Sequence, residues 1–200
     1  MRPPSGLVLA ASYAAGAVPF TQIAARLLRD VDLRRHGNGT VSGSGLFEVA
    51  GLGPLLAAGL CDCAKGAVGP LLAGPRERPG LAALAAAAGV AGHNWSPVLS
   101  GAGGRGISPA LGALAVTAPS GAVLLLGGLA AGRLTRQTGL GCLVAFAALV
   151  PVLRRTAGAD GARVGAAVLA PMLAKRLLGN GPAASPRVYG RRLLFDRDTP

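Results

Sequence analysis

The chain has 200 residues, 51% of them hydrophobic and 14% charged, with a net charge of +12. So much apolar sequence with so little charge excludes an ordinary soluble domain and gives a polytopic membrane protein. The basic residues lie in short clusters between apolar stretches and aromatic residues make up only 4% of the chain, so the charge reads as membrane orientation and not as a nucleic-acid-binding face.

Residues 5–25 are the first predicted span, close to the ~20 apolar residues that cross hydrocarbon. The run outlasts a signal-peptide core and lacks a small-residue cleavage site, so it reads as a retained span. A polar loop follows, and within VDLRRHGNGTVSGSG, residues 31–45, glycines 37, 39, 43 and 45 alternate with Asn38, Thr40, Ser42 and Ser44. Closely spaced glycines let backbone N–H groups converge, and the helix start behind them adds free donors, which suits a phosphate. A flexible Gly/Ser loop is the alternative.

The second predicted span, residues 46–74, contains CDCAKG, with Asp62 and Lys65 three apart on one helical face. Ionisable groups in a membrane cost a few kcal/mol unless paired or wetted, so the two form either a packing pair or part of a polar site. PRERPG then breaks the chain. The third span, residues 81–99, leads into GHNWSPVLSGAGGRG, which joins His93 and Trp95 to a glycine loop at 101–106. That loop either holds an anion with its N–H groups and Arg105 or is a turn re-entering the bilayer. A nucleotide P-loop is excluded, because no strand precedes it and no GKS or GKT follows. Residues 107–132 are interrupted by APSG, leaving open one long helix or two short ones turning at Pro119. Segments 139–153 and 162–174 and a basic tail complete the chain. Cys61, Cys63 and Cys142 fall in apolar segments and read as packing residues, and no His, Cys and carboxylate cluster has ligand spacing, so neither metal nor cofactor is predicted.

Lysines and arginines collect in cytoplasmic loops. With the N-terminus outside, seven spans put 13 of them inside against 6 outside, whereas six spans put 8 inside against 11 outside. The predicted fold is therefore an all-α transmembrane bundle of about seven spans, N-terminus outside and C-terminus cytoplasmic.

Taken in order, GAVPF, DLRRHGNGTVSGSGLFEVAG, DCAKG, GHNWSPVLSGAGGRGI and LTRQTGLGCL resemble the integral-membrane acyl-phosphate:glycerol-3-phosphate acyltransferases of bacteria. The resemblance covers residues 16 to about 180, and its specific part is GH-x-x-x-P with GG-R-G following D-x-x-K-G. It implies a seven-span bundle with the N-terminus outside, in the bacterial inner (cytoplasmic) membrane. It divides the chain into an acyltransferase-like transmembrane domain, 1–180, and a basic cytoplasmic tail, 181–200. The implied reaction moves a fatty acyl group from acyl phosphate to the sn-1 hydroxyl of glycerol 3-phosphate, giving lysophosphatidic acid in phospholipid biosynthesis. The implied partners are these two substrates and membrane lipid, without nucleic acid, metal or cofactor. Lys65, His93 and Arg105 would carry catalysis. Gly37, Asn38, Gly39, Thr40, Ser42, Ser44, Gly103, Gly104 and Asn180 would bind substrate.

Such chemistry wants donors for two phosphates and an oxyanion, and docking both anions brings hydroxyl to carbonyl. The base then comes from the substrate phosphates themselves. The H-x-x-x-x-D signature of the other acyltransferase superfamily is absent, since neither His36 nor His93 has a carboxylate five residues on.

The departures from the family are concentrated in its first motif, G-S-G-N-x-G-x-T-N-x-x-R. Gly37 and Gly39 remain, while Asn38, Thr40, Ser42, Ser44, Gly45 and Glu48 stand for its Ser, Asn, third Gly, Thr, second Asn and Arg. Arg105 replaces a lysine, and the family's H-x-x-N pair falls on Leu177 and Asn180. Glu48 puts a carboxylate where phosphates should dock, a repulsion that Arg34 or Arg35 would have to neutralise. Three readings remain: the glycerol-3-phosphate acyltransferase, an acyltransferase with another acceptor, and a catalytically impaired paralogue that binds lipid or regulates an active partner.

Overall fold

The computed structural model describes residues 2–37, 39–181 and 185–195, and every regular element among them is helical. The first predicted span is two helices, α1 (Ser5–Ala17) and α2 (Phe20–Arg29). Pro19 separates them: it holds Val18 in an extended conformation and brings no N–H of its own to continue the ladder. α2 is amphipathic, carries Arg26 and Arg29 in its last turn, and stops at Asp30 in the left-handed region.

The segment expected to run unbroken over residues 46–74 is also two helices, α3 (Gly43–Ala50) and α4 (Leu52–Ala73). Gly51 lies between them at φ 84°, a conformation that costs glycine little and other residues much. Ser42 starts α3 by accepting the Gly45 N–H on its hydroxyl at 3.2 Å. α5 (Pro79–Asn94) ends five residues before the predicted limit of the third span. Pro97 holds Ser96 extended and opens a separate 3-10 turn, Pro97–Leu99.

The choice left open after residue 107 falls to two helices, α6 (Ile107–Thr117) and α7 (Pro119–Leu134), with Ala118 between them outside the helical region at φ -155° and ψ 77°. Pro119 occupies the first turn of α7, where its missing N–H is not needed. α8 (Thr138–Thr156) and α9 (Gly158–Leu178) run further than the predicted segments, and α10 (Pro186–Phe195) follows. Among the described residues, three stretches are long and apolar enough to cross a membrane: Ser5–Arg29, Leu52–Ala73 and Thr138–Thr156. Ile107–Thr117 and Pro119–Leu134 are shorter apolar helices.

α5 lies at the centre, packed on α1, α4 and α9, while α4 packs on α6 and α7 on α8. The contacts are close because small residues meet there. A Cβ on Gly112 would lie 1.7 Å from the Cys63 carbonyl oxygen, and one on Gly16 would lie 2.1 Å from that of Gly89. Helices in lipid associate through such close packing, since lipid tails are as apolar as the helix faces. The main core joins α5, α6, α8 and α9 through Val90, Leu114, Leu149, Leu153 and Met172. A second cluster, with Leu33, Val41, Leu46 and Leu99, sits beneath the polar loops and fixes them to the bundle.

The basic segment beyond residue 180 docks through α10 on α8 and α9. Buried Arg192 donates to the carbonyls of Leu177, Leu178 and Gly181, and buried Arg176 donates to those of Gly139, Arg192 and Leu194.

Candidate active site

At the break before Pro19 the Val18 carbonyl accepts the Phe20 N–H at 3.2 Å, and α4 reaches the same oxygen. Lys65 donates to that carbonyl and forms an ion pair with Asp62 at 2.7 Å, both side chains being buried. Thr21, in the first turn of α2, donates to the second Asp62 oxygen at 2.8 Å, and the Phe20 ring lies 5.7 Å from the ammonium. His93 Nδ1 is 3.9 Å from Asp62. The buried charges are thus paired and hydrogen-bonded, the condition under which burial is tolerated. The pair pins α4 to the break between α1 and α2.

The two glycine loops meet at Asn180. Its carbonyl oxygen accepts the Gly103 N–H at 3.2 Å, while its amide donates to the carbonyls of Gly39 and Gly103, each at 3.0 Å. Val41 N–H adds a bond to Gly103 O at 3.2 Å. Residues 39–42, the loop 101–106 and the segment just after α9 are therefore one unit. Gly104 lets His93 in: a Cβ there would lie 2.2 Å from His93 Nε2. Arg105 donates to the Lys175 carbonyl at 2.9 Å, fastening the loop to α9. The Lys175 ammonium lies 5.3 Å from the centre of the Trp95 ring.

Beside this unit opens a cleft of about 890 Å³, within the size range of small-molecule sites. Thr40, Ser42, Ser44, His93 and Arg105 line its polar end, and the start of α6 contributes Gly106, Ile107 and Ser108. The first N–H groups of a helix lack partners within it, so α6 offers donors to an anion. Leu55, Leu126, Leu129, Cys142 and Phe146 form an apolar flank, and Arg133, Arg136 and Arg176 add further cations.

The sequence-predicted residues Gly39, Thr40, Ser42, Ser44, His93, Gly103, Gly104, Arg105 and Asn180 come together here. Ser42 divides its role, since its hydroxyl caps α3. Gly37 lies at the loop surface with nothing packed over it. Lys65 does not line the cleft; it stands behind Asp62 on a void of about 10 Å³, roughly the space of one water. Asn38 lies outside the described residues. Asp62 and Thr21, with Arg133, Arg136 and Arg176, are cleft residues absent from the predicted set. The three-residue spacing of Asp62 and Lys65 pointed to the first of these, but the arginines look like any orientation charge.

Arg34 does not neutralise Glu48. It forms an ion pair with Asp32 at 2.7 Å, and Arg26 reaches the same carboxylate at 3.0 Å. The Arg34 guanidinium beside it holds the Asp32 carboxyl well below the usual carboxylate range, and Asp32 in turn raises Arg34. Glu48 instead meets His36, Oε2 to Nε2, at 3.5 Å.

Apolar helices around one cleft, polar at one end and greasy along its flank, are the architecture of an integral-membrane protein with a site for an amphipathic molecule. Residues 6–179 match the model of the family described as glycerol-3-phosphate acyltransferase, and the chain belongs to that family. A glycerol-3-phosphate acyltransferase of Halalkalibacterium halodurans is 36% identical over 152 residues, 74% of this chain and 73% of that one. One from Synechococcus sp. is 35% identical over 172 residues, covering 84% of both. The crystal structure of PlsY (YgiH), an integral membrane glycerol 3-phosphate acyltransferase in its glycerol 3-phosphate form, shares the fold. It superposes with a TM-score of 0.76 at 22% identity, over 86% of this chain and 88% of that one.

Proposed function

We propose that the protein transfers a fatty acyl group from acyl phosphate to the sn-1 hydroxyl of glycerol 3-phosphate, forming lysophosphatidic acid and releasing phosphate. The observation that carries this reading is the union of both glycine loops by Asn180 at the mouth of a cleft whose flank is apolar. Backbone N–H groups and Arg105 then hold phosphate, and the flank takes the acyl chain. Two bound anions with their reacting atoms adjacent supply the proximity gain, and the fixed donors stabilise the oxyanion. His93 sits against the glycine loop, while Lys65 acts from behind by fixing Asp62. The test is an assay of purified protein with palmitoyl phosphate and labelled glycerol 3-phosphate. Lysophosphatidic acid should form equally with and without chelator, and turnover that requires acyl-CoA would refute the donor assignment.

A second reading, a catalytically impaired member that binds lipid, draws on Glu48 in the cleft and on Ser42 being engaged as a helix cap. Donor and acceptor binding without turnover in the same assay would favour it.

We also propose seven spans in the bacterial inner membrane, N-terminus outside, with 1–180 as the catalytic domain and 181–200 as a cytoplasmic tail. The charge asymmetry and the separate helices α6 and α7 support that topology. Cysteines introduced at Arg34, Arg105 and Arg191 should be shielded from an impermeant thiol reagent on intact cells, while one at Arg78 should be labelled. Labelling of Arg191→Cys from outside would reverse the assignment.

A further inference from the structure

One arginine of the basic tail turns away from water. Arg187 on α10 is exposed, whereas Arg192 on the same helix is 1% exposed. Its guanidinium is enclosed by the residues at and just after the end of α9. Nη1 donates to the carbonyls of Leu177 at 3.2 Å and Leu178 at 2.6 Å, and Nη2 donates to that of Gly181 at 3.1 Å. The last carbonyls of a helix lack partners within it, and the helix dipole favours a cation there. Gly179 permits the approach: it turns the chain at φ 67°, and a Cβ on it would lie 2.8 Å from Arg192 Cζ. Asn180 is the residue inside this wrap. Arg192 holds the chain on both sides of it, at 178 and 181, while its side chain bonds Gly103 and Gly39. Asn180 and Arg192 both follow residue 179, where the family match ends.

We propose that Arg192 is a positioning residue for the site: it fixes the main chain around Asn180, and Asn180 in turn holds the two glycine loops together. The catalytic consequence rests on the acyl-transfer reading above; the positioning itself does not. An asparagine that follows a glycine beyond a helix end has many conformations open to it, and ordering it costs entropy each time the loops must be joined. Arg192 removes that freedom before substrate arrives. A guanidinium suits the task because its planar fork of N–H donors serves three carbonyls at once and keeps its charge when buried. α10 thereby belongs to the frame of the site.

The experiment uses the full chain and two readouts. The first is hydrogen exchange at the Gly103 amide, whose bond to Asn180 has no part for Arg192. Exchange there should speed up by about tenfold or more in Arg192→Ala, as in Asn180→Ala. The second is kcat/KM with palmitoyl phosphate and glycerol 3-phosphate. Loss of a bond to a charged group corresponds to about tenfold to a hundredfold, so Arg192→Ala should fall by that factor. The double variant with Asn180→Ala should be no slower than the slower single variant. Millimolar guanidinium chloride should restore part of the rate to Arg192→Ala and none to Asn180→Ala. Arg192→Lys keeps the charge without the fork, should fall between wild type and Arg192→Ala, and carries the same comparison should alanine prevent folding. Arg187→Ala removes the same charge from the exposed side of α10 and should match wild type in both readouts. Wild-type exchange at Gly103 in either Arg192 variant, losses that multiply in the double variant, or an equal loss in Arg187→Ala would overturn the proposal. A wild type inert toward both substrates would overturn the acyl-transfer reading, and the exchange comparison would still decide the role of Arg192.

Discussion

Arg105→Ala is expected to lower kcat/KM by one to two orders of magnitude. A hydrogen bond to a charged group is worth about 1.5–3 kcal/mol, and each 1.36 kcal/mol of transition-state stabilisation is about tenfold in rate. Arg105 lines the cleft at its polar end and is tied to the Lys175 carbonyl at 2.9 Å, so its guanidinium is held in place before substrate arrives. Arg105→Lys should restore part of the loss, since lysine keeps the charge but not the planar fork. Steady-state kinetics at equal folded protein, with both substrates varied, checks the ordering. Wild-type rates in Arg105→Ala would reduce the glycine loop to a turn.

Gly112→Ala should cost the protein most of its folded yield. The added carbon would sit 1.7 Å from the Cys63 carbonyl oxygen, and the reciprocal Gly66→Ala would place one 2.0 Å from that of Pro109. Both obstacles are backbone, so relief requires α4 and α6 to separate. Overpacking typically costs about 1–3 kcal/mol, and more where backbone must shift. The displaced helix carries Asp62 and Lys65, whose partners Thr21 and Val18 lie on other elements. Gly53→Ala is the control: it lies in α4 with open space around it, and alanine there should be neutral or stabilising by up to about 1 kcal/mol through helix propensity. Thermal unfolding and elution profiles in detergent distinguish the two, and a Gly112→Ala protein as stable as wild type would refute the packing account.

The candidate site was legible in its parts because those parts are local patterns. Glycines near Thr40 and Arg105, and an acid and a base three apart in an apolar helix, are patterns within one short stretch. How these parts combine was not legible. Asn180 is 77 residues from Gly103 and 141 from Gly39, and neither stretch carries a sign of the other. Arg34 illustrates the same limit: it stood as a partner for Glu48, but Asp32, two residues away, holds it at 2.7 Å, and the nearer carboxylate wins because little chain must be ordered to reach it.

By itself the sequence determined the solvent of the fold, its helical class, the positions of most helix breaks and the two glycine loops. Hydropathy, proline and glycine act within a few residues, and the chain reports them directly. The breaks at Pro19 and Gly51 were missed, because continuous hydropathy runs through both. Only the tertiary structure decided that Lys65 lies behind Asp62 while Glu48 faces the cleft, and that Arg133, Arg136 and Arg176 converge on it. Those assignments depend on which helix faces approach one another. That approach is governed by glycine contacts such as Gly66 with Pro109 and Gly112 with Cys63, each a meeting of residues far apart in the chain.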